Sequence, residues 1–323
     1  NSKPVVPPEP ELTYDAEVVW TEYGIPHVMA EDWGSLGYGY GYAYAQLNYC
    51  VVMKEYVRAN GESARYLGSE GDINEDLVYK LFNDDERIKR IFIDAMPRYI
   101  LDLGEGYAAG LNRYLDETGV DNLPEGDEGC RGADWVRKVD VYDVARLLHK
   151  AILRGSSGPL ADFTVAARPG DEMAFKADKQ TLELLLAAID RDEFVAGMDM
   201  PAPEQAGSNA YAVGEQASQG NAGILLGNPH FPWQGNLRWF MSHLTMGDEY
   251  DVMGATLAGL PLNTIGFNGN VAWSHTVSTG ARFTFYELQL NPDNLMEYIY
   301  DGEARPLEAR TVKAEQLLAD GSV

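Results

Sequence analysis

The sequence predicts an α+β protein, helical in its first part and strand-rich in its second, and three observations predict it. Up to residue 189, long runs poor in proline place apolar residues at helical spacing. After residue 207 come only short segments rich in β-branched and aromatic residues, punctuated by Gly and Asn. Between them "DRDEFVAGMDMPAPEQAG" (190–207) is acidic, Met- and Pro-containing and unpatterned, which reads as a linker.

Taken in order, "NSKPVVPPEPEL" is a proline-stiffened arm. It reads as the start of a mature chain whose signal peptide has been removed, or as an arbitrary boundary. Residues 14–33 alternate, giving a strand, a Tyr-Gly-Ile-Pro turn and a second strand. "LGYGYGYAYAQLNYCVVMKEYVRANG" moves into helix formers and stops at Asn60-Gly61. Its Gly-Tyr half fits a strand as well on local pattern; a helix is the expectation. Pro97 suits the first helical position of "RYILDLGEGYAAGLNRYLDE", where Tyr107, Leu111, Tyr114 and Leu115 share a face. "VYDVARLLHKAIL" (141–153) and "KQTLELLLAAI" (179–189) are further helices. Strands are expected in "NAYAVG", "AGILLGNP", "LRWFMSHLTM", "YDVMGATLAG", "TIGFNGNVAWSHTV" and "FTFYELQL". The last residues, "LLADGSV", end on a turn signal, and the chain reads as cut short.

Fifty acidic side chains oppose 25 basic ones, a net charge of −25 that repels phosphate backbones and argues against nucleic-acid binding. No apolar run reaches the ~18 residues of a membrane span. Cys50 and Cys130 are the only cysteines; counting allows one disulfide in an exported chain, or two buried thiols.

"PEQAGSNAYAVG" (203–214) delivers Ser208 to the start of a strand directly after a glycine and a linker. A serine hydroxyl needs a base, and neither a G-x-S-x-G elbow nor an S-x-x-K is present to supply one. Cutting the Gly207–Ser208 bond would supply it, because the new α-amine titrates near about 7.7–8.0 beside the hydroxyl. The alternative is ordinary turn chemistry.

With these residues in view the chain resembles the penicillin acylase-like N-terminal nucleophile hydrolases, nearest the acyl-homoserine lactone and aculeacin acylase branch. "YGIPHVMA", "LGYGYGYAYAQ", "VRANGESARYLG" and "CRGADWVR" look like that branch. "GSNAYAV", "GNPHFPW", "YDVMGATLAGLP", "IGFN" and "WSHTV" follow in its order. The resemblance implies a four-layer α/β/β/α sandwich, here partial. It divides the chain into an α-subunit-like part (1–184), a spacer (185–207) and the start of a β subunit (208–323), the two subunits pairing with each other. It implies self-cleavage at Gly207–Ser208, with Ser208 as nucleophile. His230 would hold the amine, and the Val277 backbone N–H would form half of an oxyanion hole. The family's second oxyanion donor is an asparagine further downstream, a place that Asn209, Asn228 and Asn263 do not fill. Positions matching the acyl pocket are Phe231, Leu257, Leu260, Ile265 and Thr276, which pattern alone reads as core.

No cofactor is implied. No carboxylate lies between Val277 and Glu287, so the family's calcium is not carried over. His230, His243 and His275 fit no zinc spacing, and His27, His149, His243 and His275 read as structural. The expected activity is hydrolysis of N-acyl amines, such as acyl-homoserine lactones, by a periplasmic or secreted enzyme acting on small molecules. Penicillin or lipopeptide amides are the alternative substrates. A chain that stays uncut and only binds acyl ligands is the competing class.

Overall fold

The alternation near the N-terminus does build a hairpin. In the computed structural model, which describes residues 13–125, 129–166, 207–218, 220, 222–276, 286 and 288–323, β1 (Ala16–Trp20) pairs antiparallel with β2 (Pro26–Ala30). The Gly-Tyr run is the first half of a helix, α1 (Trp33–Ala59). Asp32 caps it, its Oδ1 accepting the Ser35 amide at 2.8 Å. The glycines let a second helix in. Short helices α2 (Ser63–Tyr66), α3 (Ile73–Phe82) and α4 (Asp85–Ile88) intervene, then α5 (Arg98–Thr118) lies against α1. A Cβ on Gly37 or Gly41 would fall on the carbonyl oxygens of Leu103 and Tyr107. Gly106 and Gly110 meet α1 in the same way. Pro97 is the N-cap of α5 rather than its first residue; its ψ of 145° is extended, and helical geometry begins at Arg98. α6 (Val141–Arg154) opens on a capping box between Asp140 and Asp143, and α7 (Ala161–Ala166) closes the described helical part. The predicted helix 179–189 and the linker before Gly207 lie outside the described residues.

Only strands follow among the described elements. β3 (Gly207–Val213) and β4 (Ile224–His230) form a two-stranded sheet. β5 (Phe240–Met246), β6 (Tyr250–Thr256), β7 (Ile265–Phe267) and β8 (Ala272–Trp273) join the N-terminal hairpin in a six-stranded sheet, ordered β1-β2-β5-β6-β7-β8. β9 (Leu290–Asn291), β10 (Asn294–Tyr300) and β11 (Glu303–Pro306) form a third sheet. The β2–β5 pairing is parallel, with His27 opposite His243 and Ala30 opposite Met246. This fits the crossover rule, since the two strands are separated by the helical part.

One face of the six-stranded sheet packs on α1. Val28 and Leu244 are fully buried there, with Phe240 against Tyr40 and Tyr44. The opposite face leaves Val19, Met29, Met241 and Phe267 exposed. The Cys50–Cys130 disulfide links α1 to the loop after α5. Near the C-terminus the Leu317 amide donates to the Ala64 carbonyl at 3.1 Å, returning the chain to the helical part.

Candidate active site

Ser208 is the second residue of β3. Its neighbours follow from the register with β4: Gly207 lies opposite His230, Ser208 opposite Pro229 and Asn209 opposite Asn228. The Ser208 hydroxyl donates to the Gly207 carbonyl oxygen at 2.6 Å. That carbonyl belongs to the Gly207–Ser208 peptide bond, so the hydroxyl is folded back onto the bond that precedes its own residue. Ser208 and His230 are both half-buried. Asn209 Nδ2 and His230 Nε2 stand 3.4 Å apart, which gives the imidazole a neighbour that the sequence did not single out. The signal available for Asn209 was its place directly after the serine in "GSN".

Two further segments reach this hairpin. Gly227 of β4 faces Ser274, whose Cβ and Oγ would each lie 3.0 Å from a Cβ added there, so "WSHT" runs close beside β4 and a side chain at 227 would make it give by a few tenths of an ångström. Val277 lies outside the described residues, and Thr276 is exposed. On the other side, Phe231 directly follows His230 and meets Trp239 edge-on, ring centroids 5.6 Å apart.

Leu257, Leu260 and Ile265 are half-buried; the first two share a turn in which the Leu260 amide donates to the Leu257 carbonyl at 3.4 Å, and Ile265 opens β7. A groove of about 290 Å³ lies elsewhere, between β1, α1 and α5, lined by Ala16, Val18, Tyr38, Gly39, Tyr42, Arg113 and Glu117.

The remaining histidines have other work. His149 is buried with Nδ1 2.7 Å from Asn83 Oδ1, and burial lowers its pKa. His243 bridges two neighbours, with Nδ1 2.9 Å from His27 Nδ1 and Nε2 2.6 Å from Asp251 Oδ1. His275 is exposed. Among the described residues no three His, Cys, Asp or Glu side chains group to hold a metal ion. Asn263 is buried and committed, donating to the carbonyls of Ser242 (3.0 Å) and Val252 (3.3 Å).

Ser208 thus stands near a strand start with its hydroxyl folded back on the preceding peptide bond. The penicillin amidase family model matches residues 15–322. The chain belongs to the penicillin amidase family. An acyl-homoserine lactone acylase, PvdQ, of Pseudomonas savastanoi pv. phaseolicola is 40% identical over 95% of this chain. The aculeacin-A acylase of Actinoplanes utahensis is 38% identical over 94% of it. The chain spans 39% and 38% of the lengths of these two relatives. Its membership fits the strand-rich half after Gly207 and the helical part before it as one mixed α+β unit.

Proposed function

We propose that this chain carries the nucleophile of an amide hydrolase that releases the acyl group from small N-acyl amines, with Ser208 as the attacking residue. The observation that carries the reading is the 2.6 Å contact of the Ser208 hydroxyl with the Gly207 carbonyl in a penicillin amidase family member. In the uncut chain, attack of Ser208 Oγ on the Gly207 carbonyl carbon shifts the acyl group from nitrogen to oxygen. That shift breaks the Gly207–Ser208 C–N bond and frees the α-amine; water then cleaves the ester, releasing the Gly207 carboxylate and restoring the Ser208 hydroxyl. In the mature site that amine takes the hydroxyl proton as Oγ attacks the substrate amide, and returns it to the departing amine. Water resolves the acyl-enzyme.

His230, across from Gly207, holds the amine side of the site, and the Val277 N–H supplies one oxyanion donor; such donors are worth about 3–4 kcal/mol each. Phe231, Leu257, Leu260, Ile265 and Thr276 receive the acyl chain, each buried methylene contributing about 0.8 kcal/mol. The cleavage divides an α part (1–184) and spacer (185–207) from a β part beginning at Ser208, within a four-layer α/β/β/α sandwich. No cofactor is invoked. Acyl-homoserine lactones are the first substrate class, after the relatives named for that activity; the aculeacin-A acylase favours lipopeptide amides as the second. The Cys50–Cys130 disulfide supports a periplasmic or extracellular location.

Intact mass and N-terminal sequencing test the reading. The wild-type protein is expected as two pieces, one beginning at Ser208, and Ser208→Ala as one inert chain. Clipping of the alanine variant at the same bond would refute self-cleavage by this hydroxyl.

A further inference from the structure

The segment joining β4 to β5, residues 231–239, begins beside His230 and carries Phe231. It is fastened to α1 at two places. Arg238 Nε donates to Asn48 Oδ1 at 2.8 Å, and its Nη2 donates to the Leu47 carbonyl at 3.2 Å. Asn48 has φ −135° and ψ 17°, outside helical geometry, so α1 breaks there and offers polar groups that an unbroken helix would keep to itself. Further along the helix, Asn236 Nδ2 donates to Glu55 Oε1 at 2.9 Å.

Glu55 is an unusual anchor, being buried in α1. Its Oε2 accepts from the buried Lys150 at 2.8 Å, and its Oε1 also accepts from Arg58 at 3.1 Å. Buried ion pairs are often no more stabilising than an apolar replacement, which turns attention to what the geometry holds in place. Seven residues of helix separate the anchors by about 10 Å, so together they prevent pivoting as well as drift. Phe231 and Trp239 then close the segment on itself at 5.6 Å, next to Arg238.

We propose that Asn236 and Arg238 are positioning residues that fix, through Glu55 and Asn48, the segment carrying His230 and Phe231, and so set how deeply an acyl chain is received beside Ser208. This rests on the acylase reading above. The selectivity for long over short acyl groups depends on both anchors, although neither residue touches the reacting atoms.

The test uses hydrogen–deuterium exchange and ligand binding in the Ser208→Ala chain cut at a protease site placed over residues 201–206, which opens the chain before the site while no turnover intervenes. N-dodecanoyl- and N-butanoyl-homoserine lactone serve as probes, compared between that parent and the same chain bearing Asn236→Ala and Arg238→Ala. Exchange over residues 231–239 should rise by about tenfold on loss of these charge-assisted bonds, with β5 unchanged. Affinity for the long probe should fall by about tenfold, the worth of roughly two buried methylenes, with the short probe unaffected. Arg238→Lys, which retains one bond, should recover part of the long-chain affinity. Unchanged exchange over 231–239, or equal losses for both probes, overturns the proposal. A parent that binds neither probe overturns the acylase reading instead, and the exchange result distinguishes the two failures.

Discussion

At the scale of single residues, the buried Glu55 carboxylate shows how charge is retained in this core. Burial pushes its pKa up, but Lys150, Arg58 and Arg154 pull harder and hold it at about 2. A folded-state pKa below the unfolded one means the carboxylate stabilises the fold above about pH 4.5 and loses that contribution as pH falls towards 2. The shift corresponds to roughly 3 kcal/mol. Glu55→Gln removes the charge but leaves Lys150 and Arg58 in place, so a loss of about 3–5 kcal/mol at neutral pH is expected. Its urea midpoint should also vary less than the wild type's between pH 5 and 3, and a parallel pH dependence in both proteins would remove Glu55 from the acid limb. The strand start at Ser208 was legible in the sequence because a linker and a glycine ahead of alternating residues are local signals. Glu55 was not, since Asn236 stands 181 positions away and nothing local marks the pair.

At the scale of elements, the Gly-Tyr run was ambiguous for a physical reason. A helix with one wet face shows a 3.6-residue period, but α1 packs against α5, β2, β5 and α6 and is buried nearly all round. Its pattern therefore reduces to small residues where backbones meet and tyrosines elsewhere. The N-terminal hairpin was legible from strand character alone; its parallel register with His243 was not, because register depends on the intervening helices. Gly41 tests the close approach. An alanine methyl there meets the Tyr107 backbone rather than a side chain that could rotate away. Gly41→Ala should cost about 3 kcal/mol or more by urea denaturation. Gly214→Ala, where nothing lies within 4 Å, should shift stability by no more than about 0.5 kcal/mol. Equal effects at the two sites would mean that α1 and α5 do not touch through this face.

At the scale of the whole molecule, the six-stranded sheet is assembled from both sides of the Gly207–Ser208 bond. β1 and β2 come from before it and β5 to β8 from after it. The parallel pairing of His27–Ala30 with His243–Met246 runs through the middle of that sheet, and Val28, Leu244, Tyr40, Tyr44 and Phe240 share one core across it. Asn236–Glu55 and Arg238–Asn48 add half-buried polar ties. Cleavage at this bond therefore leaves the core undivided, and the pieces should stay together without a covalent link. The Cys50–Cys130 disulfide cannot provide that link, because both cysteines precede the cut. Its closed stretch of 80 residues stabilises the helical part by at most about 4.5 kcal/mol in the chain-entropy account. A protease site placed over residues 201–206 separates these effects. After cutting, the two pieces should elute as one species in size-exclusion chromatography. Reduction should lower the melting temperature without releasing either piece, and denaturant should release both. Separation of the pieces in plain buffer would mean that the β2–β5 seam is too weak to hold a processed form, and that a Ser208 amine could not be kept beside its pocket.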